Sequence, residues 1–342
     1  MDGRIDPWYS DAMSDPAIDV VGIGNAIVDV LSSTDDTFLA RQGLTKGAMT
    51  LIDADRATTL YDQMGAAVEA SGGSAANTIA GVASLGGKTA FIGKVKNDQL
   101  GEIFAHDIRA LGVRFATPMA TDGAPTARSM ILVTPDAQRT MNTYLGAAVT
   151  LGPDDVDEAL IQSARVTYLE GYLWDPPAAK EAFKKAMRAA HRAGRKVALT
   201  LSDAFCVDRF RSEFRDLVAN EIDVLFANES EIKSLYEVDS FDAALERVRA
   251  SGKIAALTRS EKGAVVVSAD GVHVVPAEPD VQLVDTTGAG DQFAAGFLWG
   301  HTHGRGLADC GRIGVMAAAE VISHYGARPE ISLAELLSRR GL

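Results

Sequence analysis

The chain has 342 residues, 47% hydrophobic and 23% charged, with a formal net charge of −13. That length allows one large α/β domain or two smaller ones, with a sizeable core. The acidic balance excludes a broad nucleic-acid or anionic-membrane surface, so an anionic ligand would need locally concentrated positive charge.

The first 17 residues, MDGRIDPWYSDAMSDPA, are polar and acidic and lack the basic and apolar regions of a signal peptide. They read as a loosely docked arm. No run of 18 apolar residues occurs, so no membrane-spanning helix is expected. Cys206 and Cys310 are the only cysteines and form no CxxC or Cys/His cluster. This points to a reducing, cytoplasmic setting without a zinc site.

IDVVGIG (18–24) reads as a buried first strand. The polar and short apolar runs of 31–70 suggest an inserted subdomain. In SGGSAANTIAGVASLGG (71–87), eleven of the sixteen residues from Gly72 onward are Gly, Ala or Ser. Such a helix admits close approach of a ligand or another backbone. The run NDQLGEIFAHDIRALG has apolar residues at helical spacing, with Asn97 or Asp98 as cap and Gly112 as stop. TARSMILV and RTMNTYL flank the turn TPDAQ as a hairpin that could pair with the earlier insert.

From residue 165 onward, strands RVTYLEG, KVALTLS, DVLFANE and IAALTR alternate with helices. That alternation predicts a mostly parallel sheet covered on both faces. Two short β segments follow, then a glycine-rich turn, then a long helix ending near Gly326. The predicted fold is a Rossmann-like α/β domain over 18–335 with a small β-rich lid built from about 31–70 and 123–148. Ligands of such domains bind at the carboxyl ends of the strands.

Candidate chemistry centres on DTTGAGDQFAAGF (285–297). Gly288, Ala289 and Gly290 can converge their amides on an anion at a helix N-terminus. The GxxxxGK[ST] cradle is absent, and an aspartate, Asp291, stands where a phosphate is expected. A carboxylate there makes sense as a base accepting a proton from a hydroxyl that attacks a γ-phosphate. An aspartate capping a helix after a glycine turn is the plain alternative.

VVGIGNAIVDV (20–30) resembles a dinucleotide fingerprint but has Ile27 at the third glycine and an acid, Asp29, too early. Asp29 is placed beyond the strand end, where it can accept from a vicinal diol or simply face solvent. Gly72, Gly73 and Asn77 can face one cluster of ligand hydroxyls, or serve only helix packing. Asn228 and Glu231 share a helical face and can orient the waters of a Mg²⁺–triphosphate, or form an N-cap. Arg139 is a candidate phosphate or lid arginine, a surface arginine being the plain reading. Tyr172 and Leu173 are candidates for a base pocket, core packing being the alternative. His301 and His303 read as a solvated helix end, and Trp8, Trp174 and Trp299 as packing residues.

Together these motifs resemble the PfkB (ribokinase-like) carbohydrate and nucleoside kinase family over roughly 18–330. SGGSAANTIAGVASLGG and VDTTGAGDQFAAGF look like its two signatures. Asn228…Glu231 looks like NxxE, and Gly93, Lys94, Asp98 and Gly101 like its G-K-x-x-x-D-x-x-G segment. The resemblance implies ATP with Mg²⁺ as cofactors and a small-molecule acceptor, with no nucleic-acid or membrane partner. It implies Asp291 as base and the 288–290 backbone as anion hole. Asn25, Asp29, Gly72, Gly73, Ser74, Asn77, Arg139 and Tyr172 would bind the acceptor.

Asn228, Thr258, Ser260, Gly263 and Thr286 would bind the nucleotide, with Glu231 reaching Mg²⁺ through water. Ser260 replaces a glycine usual at that loop, which puts the loop's geometry in question. The loop 323–328 is a candidate contributor to a K⁺ site, by family analogy alone. GNAIVD, DTFLARQGLTKGAMTLID, QRTMNTYLGAA and LSDAFCVDRF look most like the members that phosphorylate adenosine. The expected reaction is therefore phosphorylation of a ribose 5′-hydroxyl, adenosine being the expected acceptor, by a monomer or homodimer. A kinase for ribose or another furanose, a nicotinamide-dependent oxidoreductase and an inactive nucleoside-binding regulator are the alternatives.

Overall fold

The computed structural model describes residues 17–136 and 138–342. The arm expected at the N-terminus falls, but for Ala17, outside the described residues. The first strands are β1 (Ile18–Ile23), β2 (Ile27–Ser33), β3 (Met49–Leu51), β4 (Ala67–Gly72), β5 (Thr89–Ile92), β6 (Arg114–Phe115), β7 (Ala127–Val133) and β8 (Arg139–Tyr144). β9 (Ala164–Glu170), β10 (Lys196–Thr200), β11 (Val224–Asn228), β12 (Ile254–Thr258), β13 (Ala264–Ser268) and β14 (Gly271–Val275) follow.

Nine strands form one sheet in the order β14-β13-β12-β11-β10-β9-β1-β5-β6. It is parallel from β6 to β12, and β13 and β14 continue it antiparallel. Its central strands are apolar on both faces because helices cover both. On one face Phe183, Phe214 and Trp174 pack over β9 and β10; on the other Tyr168, Phe226 and Phe297 form a core with the helix 289–302.

From β1 the chain runs outward to β5 and β6, then crosses back to build β9 to β12 on the other side. The reversal lies between β1 and β9, so a crevice opens at their carboxyl ends. Buried Glu170 ends β9 there and accepts from both the main-chain and side-chain nitrogens of Asn25, just past β1.

The remaining strands form a second sheet in the order β3-β8-β7-β2-β4. The 126–145 hairpin pairs antiparallel as β7 and β8, and both of its strands join segments of the earlier insert. Two helices, Asp36–Gln42 and Ala54–Gln63, close one side of this sheet over a small core of Leu39, Leu60, Met130 and Leu132.

Two expectations need correction. The small sheet begins at Ile27, four residues before the expected boundary, so Asp29 lies inside β2 rather than in a turn beyond β1. Residues 24–26 are therefore a strand-to-strand connection. A dinucleotide fingerprint needs a helix at that point, and this removes its structural basis. The helix expected to reach Gly326 ends at Val321, where Ile322 caps it; residues 323–332 form a separate loop. Among the described residues no helix is long and apolar enough to cross a membrane.

Candidate active site

Gly288 precedes the helix Ala289–Thr302 in the left-handed conformation, with φ of 77°. A Cβ there would also lie 2.6 Å from the Ala327 carbonyl, so glycine is required on both counts. The turn places Asp291 in the first helical turn. Ser74 donates its hydroxyl to Asp291 Oδ1 at 2.6 Å, and Asn77 donates Nδ2 to Oδ2 at 3.2 Å. Both donors come from the helix Ser74–Ser84, which packs its small residues along the Asp291 helix. Desolvation by the surrounding protein raises the Asp291 pKa to about 6, against the opposing effects of these hydrogen bonds and of Arg328.

Asp29 faces the same cleft from β2. Burial raises its pKa to about 6, and the positive charges of Arg328 and Arg139 work the other way. A Cβ on Gly72 would stand 2.2 Å from Asp29 Oδ2, so the glycine makes room for this carboxylate. Gly73 begins the Ser74 helix with φ of 97° beside the Asn25 carbonyl. Asn25, Asp29, Gly72, Gly73, Ser74, Asn77 and Asp291 therefore converge. Within this group Ser74 and Asn77 are already hydrogen-bonded to the Asp291 carboxylate.

The expected anion-hole amides are not equivalent. Ala289 N–H donates to the Thr286 carbonyl at 3.2 Å, whereas a Cβ on Gly290 would meet open space. Thr286 itself is exposed.

On the nucleotide side the sheet register pairs Asn228 with Thr258 at the carboxyl ends of β11 and β12. Asn228 caps the next helix through Glu231 N–H, and Glu231 in turn accepts from Asn228 N and Nδ2. Burial lifts Glu231 to about 7. Ser260 holds φ of 52° in a turn closed by Gly263 N–H on the Ser260 carbonyl. Among the described residues no cluster of three His, Cys, Asp or Glu side chains could hold a metal.

Arg139 is not a surface arginine. It makes a buried ion pair with Asp285 at 2.7 Å, tying β8 of the small sheet to the start of the glycine turn. Asp285 also accepts from Thr287 N–H and Gly326 N–H. In the 323–328 loop the Ala327 carbonyl accepts from Gln292. Leu173 is fully buried in the main core, so it lines no base pocket. Tyr172 remains 37% exposed at the end of β9, its hydroxyl donating to the Ser202 carbonyl.

Several residues at the site escaped the sequence reading. Glu170 accepts from Asn25 and from Ala75 N–H, and burial raises it to about 7. An acid ending an apolar strand was its only signal. Gln292 is fully buried and donates to the carbonyls of Asn77 and Ala327. Arg328 donates to Asn77 Oδ1 and Ser71 Oγ. Phe205, within the run LSDAFCVDRF, is 82% exposed in the first turn of the helix Ala204–Asn220.

The pfkB family carbohydrate kinase pattern matches residues 44–333. The chain belongs to the pfkB family. This pfkB kinase is 28% identical to adenosine kinase of Saccharomyces cerevisiae, over 90% of this chain and 95% of the relative. It is 26% identical to adenosine kinase 1 of Arabidopsis thaliana, over 90% and 94%. Among solved structures it is similar to adenosine kinase from Sinorhizobium meliloti, with TM-score 0.89 and 56% identity over 95% of this chain and 99% of that one. It is equally similar to a probable sugar kinase protein from Rhizobium etli, with TM-score 0.90 and 55% identity over the same shares. The pfkB kinase is thus a phosphotransferase with an alcohol acceptor, and the oxidoreductase alternative falls.

Proposed function

We propose that this kinase transfers the γ-phosphoryl group of ATP to the ribose 5′-hydroxyl of adenosine. The observation that carries the reading is Asp291. It is a carboxylate at a helix N-terminus behind a glycine turn, held by Ser74 and Asn77 and lifted to about 6. A base of that pKa is ionised at neutral pH and can still take a proton from an attacking hydroxyl. Asp29, facing the same cleft, would accept from the sugar hydroxyls. The amides of the 288–290 turn and the helix N-terminus would stabilise charge on the transferred group.

The similarity to adenosine kinases over nine-tenths of the chain supports adenosine over a free sugar. Tyr172 and Phe205 are exposed aromatic faces of the kind a purine stacks on. Mg²⁺ bound with the triphosphate would offset its charge. Glu231 and Asn228 fit that role, because a buried carboxylate near 7 gains from a neighbouring cation. The small sheet would act as a lid that excludes water from the phosphoryl group.

Replacing Asp291 by Asn tests the base. The variant should lose about 10²–10⁴-fold in kcat for ATP-dependent AMP formation while still binding adenosine by calorimetry. Near-normal kcat would remove Asp291 as the base.

A further inference from the structure

We propose that Arg328 is a positioning residue for phosphoryl transfer, turning the Asn77 amide toward the Asp291 base and supplying buried positive charge to the carboxylates Asp29 and Asp291. The inference rests on the reading of Asp291 as the base.

The geometry of the amide comes first. The two ends of an asparagine amide have nearly the same shape and opposite hydrogen-bonding character. Arg328 Nε donates to Asn77 Oδ1 at 3.1 Å, and Asn77 Nδ2 donates to Asp291 Oδ2 at 3.2 Å. A guanidinium can only donate and a carboxylate can only accept. The pair therefore permits one orientation of Asn77 and forbids its flip. Asp291 favours this orientation from the Nδ2 side, and Arg328 is the donor that holds Oδ1.

The second part is charge. Several groups face Asp291. Asp29 does so from β2, Tyr168 and Glu170 from β9, and Tyr172 from the turn after β9, while Arg139 from β8 acts on Asp29. Asp107, on the helix Gln99–Ala110, adds its charge to those around Arg328. Only Arg139 and Arg328 in this set are positive, and Arg139 is paired with Asp285.

Arg328 is not spent that way. Its hydrogen bonds go to neutral Asn77 and Ser71, and its enclosed Nη2 has no hydrogen-bond partner among the described residues. Its charge acts instead on Asp29 and Asp291, lowering both against burial. Desolvation lowers its own pKa only to about 10, so it stays charged through neutral pH.

The test compares wild type, Arg328→Gln and Arg328→Lys in kcat/KM for ATP-dependent phosphorylation of adenosine from pH 5 to 9. A thermal melt serves as fold control. In the glutamine variant the acidic limb should move up by about one unit, a loss of roughly fivefold at pH 6 that approaches tenfold at pH 5 and shrinks by pH 8.5. The lysine variant keeps the charge and loses the planar fork, so its limb should stay in place while its plateau falls. A purely structural arginine would lower the rate by one factor at every pH.

Carbon-13 NMR titration of aspartate carboxyls in the unliganded enzyme, assigned with Asp29→Asn and Asp291→Asn, reads the same charge without turnover. If the Asp291 midpoint rises in Arg328→Gln while the kinetic limb stays, the charge-setting role stands and Asp291 is not the base. If neither moves in a folded Arg328→Gln protein, the proposal is overturned.

Discussion

At the residue scale, what could be read early was what the chain writes locally. Asp291 stood out because glycines on one side and an apolar helix on the other left a carboxylate that either a base or a helix cap explains. Arg328 could not stand out. It lies in a loop without periodicity, and its partners Asn77 and Ser71 are 251 and 257 residues away. Glu170 and Gln292 were hidden for the same reason, since each becomes meaningful only across the sheet or between helices. Ser260 is a case where a departure in sequence became a measurable conformation. A non-glycine residue at φ of 52° carries strain that glycine lacks. Ser260→Gly should stabilise the protein by up to about 1 kcal/mol in urea denaturation. An unchanged or lower midpoint would mean the serine side chain is compensated within the turn.

At the element scale, the strand–helix alternation after residue 165 and the 126–145 hairpin were legible because their periods of 2 and 3.6 are unbroken. The boundary between β1 and β2 was not. Apolar residues continue through VVGIGNAIVDV, and the change of sheet at Asn25 is set by distant Glu170. The placement of Asp291 depends on the crossing of the helices Ala289–Thr302 and Leu307–Val321. A Cβ on Gly296 would lie 2.5 Å from the Ile313 carbonyl and 2.8 Å from Gly314 Cα. Gly296→Ala should therefore cost about 1–3 kcal/mol by forcing the helices apart. Because Asp291 rides on the first of them, kcat should fall as well. A variant of unchanged stability would show that the crossing has slack.

The Arg139–Asp285 pair links the small sheet to the glycine turn in a similar way. Removing one partner of such a buried pair leaves an uncompensated charge. It makes the small sheet and the turn one unit in this conformation.

At the scale of the whole molecule, the site concentrates four carboxylates whose pKa values burial has raised, Asp29, Glu170, Glu231 and Asp291. A group raised on folding binds its proton more tightly in the folded state. Its stabilising contribution is full below the unfolded pKa and is lost as pH rises through the folded value. The two glutamates near 7 complete this loss between about pH 6 and 8. His301, whose pKa burial lowers, slopes the opposite way across part of that range. The net expectation is a fall in unfolding free energy of about 3 kcal/mol from pH 6 to 8. Urea titrations at the two pH values check it, and a rise would show that these carboxylates are stabilised as anions. The protein thus gathers four carboxylates where burial disfavours their charge, at some expense of stability as pH rises.

The central claim is that this pfkB kinase phosphorylates the 5′-hydroxyl of adenosine. The most direct measurement is the initial rate of phosphoryl transfer from ATP with Mg²⁺ to adenosine and to ribose at equal concentration, with Asp291→Asn as the blank. Adenosine should be converted to AMP in clear preference to ribose, with the blank reduced by at least about 10²-fold. Preferential phosphorylation of ribose, with adenosine left unchanged, would contradict it.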